Sequence, residues 1–252
     1  MAYPESLENK VVLIVGGAGA IGGAAARMFA SSGAKIVISY RGPEEAVAAK
    51  SVLAGLDGGG HSAFEADVVN TNSLIALRER IVAEYSRVDI LINAAGFTKP
   101  VPHADLDALD DELIDRMFQV NWRGQFAVIR TFAPLLKASG NGLIVSISSI
   151  AGTNGIGSSI AYCAVKAGID VMTKSLARAL APQVRVLAVA PGVVDTSFVP
   201  GRGADFNDKT ASTTPLKRIG KADDIAAAIL SCATHLTFST GTTIFVDGGR
   251  SL

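Results

Sequence analysis

Cysteine is nearly absent from this chain. Cys163 and Cys232 are the only two, and neither belongs to a C-x-x-C pair, so a disulfide framework is not expected. Histidine is also scarce. His61, His103 and His235 lie far apart with no paired ligand spacing, and no metal site is expected. Neither sign of charge is in excess: Lys+Arg and Asp+Glu both number 23. Without a basic surplus or stripe, a nucleic-acid partner is not expected. No run is apolar enough for a membrane. The best candidate is Val11 to Ala26, sixteen uncharged residues after Lys10 that mimic the apolar core of a signal peptide. It carries Gly16, Gly17, Gly19, Gly22 and Gly23, each weakening a helix by roughly 1 kcal/mol. It is also shorter than the ~20 residues a bilayer span needs. A soluble, cytoplasmic protein is expected.

What remains is an apolar chain of 252 residues, 49% hydrophobic, with ample material for a large core. Short aliphatic runs predict strands at Val11–Val15, Ile36–Tyr40, Ser62–Ala66, Val88–Asn93, Gly142–Ser148, Val184–Ala190 and Thr243–Val246. Helical patterns fall between them, at Ala24–Ser32, Glu44–Leu56, Asn72–Tyr85, Ser158–Leu180 and Ala222–Thr234. A longer helical stretch, Leu109–Leu136, is expected to bend near Pro134, and residues 191–215 read as a mobile loop. Continuous rather than alternating apolar strands, separated by helices, predict an α/β fold of the Rossmann type. The expected sheet is doubly wound and parallel, with about seven strands and helices on both faces. No linker, repeat or second core is present, so one domain spanning 1–252 is expected to carry both cofactor and substrate sites.

Three places carry chemistry. Gly17-Ala18-Gly19-Ala20-Ile21-Gly22 fits G-x-G-x-x-G directly after a strand and before a helix. Such glycines permit a tight turn, and the helix N-terminus offers unpaired N–H groups to a pyrophosphate. The second strand ends at Tyr40-Arg41, with no acid before Glu44. An NAD site places an acid there for the ribose, whereas an arginine suits a 2′-phosphate. NADP(H) is therefore expected over NAD(H). Finally, Tyr162 stands four residues before Lys166, on one helical face. A nearby cation favours the phenolate and would tune Tyr162 toward acid–base work near neutral pH.

These motifs resemble those of the short-chain dehydrogenase/reductase family, including its 3-oxoacyl-(acyl-carrier-protein) reductase-like members. The likeness runs from about Lys10 to Gly249. Gly16 and Gly22 match the family's T-G-x-x-x-G-x-G. Val15 replaces its usual threonine and Ala20 a usual glycine. Asp67-Val68 resembles the adenine-contacting pair, and Asn93-Ala94-Ala95-Gly96 resembles N-N-A-G. Asn121 falls where the family keeps a helical catalytic asparagine. Ser149 matches its catalytic serine, thirteen residues before Tyr162. Pro191-Gly192-Val193-Val194-Asp195-Thr196 is similar to the P-G segment at the nicotinamide and phosphates.

The resemblance implies an oxidoreductase that interconverts a ketone and a secondary alcohol. Tyr162 would be its general acid/base, Lys166 would bind the ribose and lower the phenol's pKa, Ser149 would bond the substrate oxygen, and Asn121 would hold a relay water. The implied cofactor-binding set is Gly16, Ala18, Gly19, Ala20, Ile21, Gly22, Tyr40, Arg41, Asp67, Val68, Asn93, Ala94, Ala95, Gly96, Tyr162, Lys166, Pro191, Gly192, Val194 and Thr196. A homotetramer or homodimer is the implied assembly. Ile150, Ile156, Ile160, Val193, Phe198 and Phe206 predict an apolar substrate site. Lys137, Arg202 and Arg218 are candidates for meeting an acidic carrier protein but form no cluster, so a small free substrate is expected before a 3-oxoacyl thioester. A non-catalytic dinucleotide-sensing regulator and a non-redox enzyme on the same fold stay open.

Overall fold

The computed structural model describes residues 5–252. Seven strands form one parallel sheet in the order β3-β2-β1-β4-β5-β6-β7. They are β1 (Val11–Val15), β2 (Lys35–Tyr40), β3 (Ser62–Glu65), β4 (Ile90–Asn93), β5 (Gly142–Ile147), β6 (Val184–Pro191) and β7 (Thr243–Val246). The helices are α1 (Ala20–Ser31), α2 (Pro43–Ala54), α3 (Thr71–Tyr85), α4 (Asp111–Phe118), α5 (Gln125–Ala138), α6 (Ala151–Asn154), α7 (Ile160–Leu180), α8 (Phe206–Thr213) and α9 (Ala222–Thr234).

Every residue of β1 is buried, because successive side chains enter opposite layers. Val12, Ile14, Ile36 and Ile38 pack with Ala24, Ala25, Ala26 and Phe29 of α1 and with Ile225 and Ile229 of α9. Val11, Leu13, Val15 and Val37 face the other layer, with Leu74 and Leu77 of α3, Phe132 of α5 and Ile169 of α7. Unbroken β-branched runs are thus the signature of strands covered on both faces. Strand order reverses between β1, whose neighbours are β2 and β4, and the crevice beyond the carboxyl ends at that switch is where such sheets take ligands.

Three expectations are corrected. Helix α1 begins at Ala20, inside the glycine cluster, so Gly22 and Gly23 lie in its first turns. The helical stretch after residue 109 is not one α-helix: Pro134 sits on the exposed side within α5, and a π-helical turn, Gln119–Gly124, centred near Asn121, interrupts the stretch before it. The segment after β6 is not all loop, since it holds α8. Its sequence, Phe-Asn-Asp-Lys-Thr-Ala-Ser-Thr, is poor in strong helix formers and so gave no helical signal.

Candidate active site

The carboxyl ends of β1, β2, β4, β5 and β6 open into one cavity of about 1070 Å³. At its floor, Gly16 takes φ +79°, and a Cβ there would lie 2.7 Å from the Ala95 nitrogen. A Cβ on Gly22 would lie 2.4 Å from the Gly16 carbonyl oxygen. Side chains are therefore sterically excluded where the chain folds from β1 into α1. The Gly16 and Gly17 amides both donate to the Ser39 carbonyl at 3.2 Å, which ties this turn to β2. The N-cap of α1 is Gly19, with no side-chain cap and no acid in the first turn. Its uncovered amides and positive dipole end suit a phosphate. Gly16, Ala18, Gly19, Ala20, Ile21 and Gly22 all line the cavity there.

Tyr40 and Arg41, at the end of β2, line the same wall. The Arg41 guanidinium is not free. Its Nη2 lies 3.2 Å from Glu44 Oε1 and 3.6 Å from Glu45 Oε1, and its backbone N–H donates to Glu45 Oε2 at 2.8 Å. Hydrogen bonds from its own backbone and from Arg41 lower the Glu44 pKa. Asp67 and Val68 lie beyond β3. Asp67 Oδ1 accepts from Val69 N at 3.0 Å, and the Asp67 amide donates to Ser73 Oγ at 3.0 Å. Ala94, Ala95 and Gly96 continue the lining after β4, and Pro191, Gly192, Val194 and Thr196 after β6.

Two expected site residues do not reach the cavity. Asn93 is buried behind the wall, where its Nδ2 donates to the Gln125 carbonyl at 3.5 Å. Asn121 is fully buried at the π turn. Its Oδ1 accepts from Phe97 N at 2.9 Å, and its Nδ2 donates to Phe97 O at 3.0 Å and Met117 O at 3.1 Å. Both ends of this amide are thus bonded to the protein. The side chain is therefore a clamp between the loop after β4 and the π turn.

The acid–base group assembles where β5, α6 and α7 meet. Both Ser148 and Ser149 line the cavity. Ser148 is buried and donates to the Lys166 carbonyl at 3.3 Å, whereas Ser149 is partly exposed and accepts from Ala151 N at 3.2 Å. Their burial agrees with the choice of Ser149 made from its spacing to Tyr162. Ser159 caps α7 by accepting from Tyr162 N at 3.1 Å, fixing the first turn that carries Tyr162. Lys166 is buried, with Nζ donating to the Ile147 carbonyl at 2.7 Å and standing 5.5 Å from the centre of the Tyr162 ring. A Cβ on Gly152 would lie 2.6 Å from Ala167 N, so this glycine is what lets α6 approach α7.

The electrostatics differ from the expected pattern. Burial pushes the Tyr162 phenol up to about 12; a hydrogen bond from Ser149 and the charge of Arg202 oppose that rise. Burial lowers Lys166 to about 8, with Asp170 opposing. Lys166 stands over the ring and is bonded to a backbone carbonyl. Among the charges acting on the phenol, that of Arg202 opposes the rise. Phe97 and Ser158 line the cavity within the expected stretches 97–103 and 150–160, whereas Arg116 and Arg250 also line it and went unnoticed in the sequence. They come from loops and a helix face that carry no motif.

Known proteins resemble this chain in sequence and fold. The family model described as enoyl-(acyl carrier protein) reductase matches residues 16–251. The chain is 34% identical to cis-4-hydroxycyclohexanecarboxylate dehydrogenase of Sinomonas cyclohexanicum, over 97% of this chain and 98% of that one. It is 34% identical to a 3-oxoacyl-[acyl-carrier-protein] reductase of Thermotoga maritima, over 96% and 98%. The crystal structure of a 3-ketoacyl-(acyl-carrier-protein) reductase from Brucella melitensis, complexed with NADH, superposes with TM-score 0.86 at 30% identity. That match covers 98% of this chain and all of the other.

Proposed function

The chain belongs to the short-chain dehydrogenase/reductase family of oxidoreductases, and from that premise we propose that it interconverts a ketone and a secondary alcohol with NADP(H) preferred over NAD(H). The observation that carries this reading is the convergence of Ser149, Tyr162 and Lys166 on a cavity that also contains the bare glycine turn. That turn fits a dinucleotide, because the space a Cβ would fill at Gly16 and Gly22 is closed and the α1 amides are uncapped.

When bound, the reduced nicotinamide supplies a hydride, two electrons and a proton's mass, to the carbonyl carbon. Tyr162 gives its phenolic proton to the substrate oxygen, and the resulting phenolate recovers a proton from solvent. Ser149 donates a hydrogen bond to the same oxygen as charge builds there. Lys166, held by the Ile147 carbonyl, stands beside the Tyr162 ring to bind the ribose and favour the phenolate. Asn121 acts at a distance, by fixing Phe97 at the cavity wall. Oxidation of the alcohol runs the same steps backwards. Positioned proton transfer of this kind contributes about 10²–10⁴-fold.

Arg41 at the end of β2 supports the 2′-phosphate reading, on condition that the phosphate displaces Glu44 and Glu45 from the guanidinium. Arg41→Ala is expected to raise the KM for NADPH more than that for NADH. The reductases among the relatives support a 3-oxoacyl thioester as the second substrate class. A free substrate ranks first, in keeping with the relative named for a hydroxycyclohexanecarboxylate. Exposed Phe118 on α4 and Val171 on α7 support assembly as a homotetramer or homodimer, to be checked by light scattering. A cytoplasmic location is part of the proposal; no helix among the described residues is long and apolar enough to cross a membrane.

The deciding experiment is Tyr162→Phe assayed on a ketone, alcohol and enoyl panel with both cofactors. Turnover should vanish while cofactor affinity persists, and near-normal turnover would sink the assignment.

A further inference from the structure

Resting on that reading, we propose that the substrate carries a carboxylate and that Arg202 is the residue that receives it. Arg202 lies in the segment between β6 and α8 and lines the cavity together with Phe198, Phe206 and Tyr162. Its surroundings are those of a cation lacking a counterion. Nη1 donates to the Val194 carbonyl at 3.0 Å, and the guanidinium carbon stands 4.6 Å from the centre of the Phe206 ring. Nε is enclosed without any hydrogen-bond partner. No carboxylate lies within ion-pair distance of Arg202 among the described residues. The nearest influence, Asp195, has its Oδ1 bonded to Asn207 Nδ2 at 2.9 Å.

A partly buried guanidinium is costly unless it is paired, and its planar fork matches a carboxylate. Burial lowers the pKa of Arg202, the sign of desolvation without full compensation. The rest of the cavity is arranged accordingly. Its lining acids, Glu44, Glu45 and Asp67, all sit at the β2 and β3 ends, beside the expected adenosine. The other charged lining groups are cations: Arg41, Arg116, Lys166, Arg202 and Arg250. Arg116 and Arg250 already hold partners, Gln119 Oε1 at 3.0 Å and Thr213 Oγ1 at 3.0 Å. Arg202 and Tyr162 line the same cavity, and the charge of Arg202 opposes the upward shift of the phenol. A compact keto acid or hydroxy acid fits: its oxygen at Tyr162 and Ser149, an apolar body against Ile150, Ile156 and Val193, and its carboxylate at Arg202.

The test uses two ketones of the same shape, 4-oxocyclohexanecarboxylate and its primary amide, with the NADPH-loaded enzyme. Charge-assisted bonds to arginine predict a kcat/KM ratio of acid to amide of at least about tenfold in wild type. Arg202→Met should lower that ratio by about tenfold or more. Arg202→Gln, which keeps a donor for the Val194 carbonyl, should lower it similarly, and Arg202→Lys should recover part of it. A wild-type ratio near one, or a ratio unchanged in both neutral variants, overturns the proposal. If neither ketone is turned over, the reaction reading has failed, and binding decides the carboxylate site. Calorimetry with the NADP⁺ complex should then show cyclohexanecarboxylate binding more tightly than cyclohexanecarboxamide in wild type and not in Arg202→Gln. Equal binding of acid and amide overturns it.

Discussion

Asn121 grips Phe97 by both of its backbone polar groups, accepting from its N–H at 2.9 Å and donating to its carbonyl at 3.0 Å. The two residues are 24 positions apart, and the bond pair fastens the loop after β4 to the π turn between α4 and α5. Asn121→Ala leaves the Phe97 and Met117 groups without their buried partner, at about 1–3 kcal/mol for each unsatisfied group. A loss of about 2–4 kcal/mol in urea denaturation is expected. Asn121→Asp replaces a donor by an acceptor opposite two carbonyls and should be no more stable than Asn121→Ala at pH 7. Wild-type stability in either variant contradicts the clamp.

The glycine turn makes a steric prediction. The Cβ of Gly22→Ala meets backbone atoms, the Gly16 oxygen at 2.4 Å and the Gly17 Cα at 2.9 Å, which cannot rotate away. At Gly19 the nearest atom to a new Cβ is 3.4 Å distant, an ordinary contact. Overpacking of the first kind costs about 1–3 kcal/mol. Gly22→Ala should therefore weaken cofactor binding by about tenfold or more while Gly19→Ala loses much less, as read by nucleotide fluorescence titration. Equal affinities in the two variants would remove the steric account.

The sheet was legible because Val11–Val15 and its neighbours are unbroken aliphatic runs, each followed by glycine or a helical pattern. The glycine turn, Ser149, Tyr162 and Lys166 were legible because their spacing is local. The π turn was not, since an i to i+5 hydrogen-bond shift has no residue signature, and it is this turn that buries Asn121. Asn93 misled for a similar reason: a polar residue at a strand end can face the interior as well as the cavity. Arg202 reads in the sequence only as a candidate for meeting an acidic carrier, because nothing local shows that the segment after β6 sets it against the Phe206 ring and into the cavity. The partner of Lys166 is a backbone carbonyl, which no side-chain pattern can reveal.

Cofactor preference turns on the contest at Arg41. Its partners, exposed Glu44 and half-buried Glu45, belong to the first turn of α2, so a 2′-phosphate must compete with two carboxylates. Replacing both by glutamine frees the guanidinium. Exposed ion pairs are weak, so NADPH affinity should rise by only about two- to fivefold, with NADH affinity nearly constant. Arg41→Ala should act in the opposite direction on NADPH. Should Arg41→Ala weaken both cofactors alike, the arginine has no part in choosing between them.

Lys166 leaves a signature in the pH dependence of folding. Burial lowers its pKa to about 8 in the folded chain, against 10.5 as its ordinary value. Below pH 8 both folded and unfolded chains carry the proton, and the folded chain bears the full cost of the buried charge. Between about 8 and 10.5 the folded chain has released the proton while the unfolded chain keeps it, so stability rises with pH over this window. Lys166→Met lacks that term. Wild type should therefore gain stability relative to Lys166→Met from pH 7.5 to pH 10, by about 1.4 kcal/mol for each unit of pKa shift. Tyr162 does not interfere below pH 10, because its phenol is pushed up to about 12 and its ordinary value is 10.0. Parallel urea titrations of the two proteins at pH 7.5, 8.5 and 9.5 measure the difference. Curves that run parallel would place the Lys166 pKa near its ordinary value, and the amine would then remain charged throughout the working range of the enzyme.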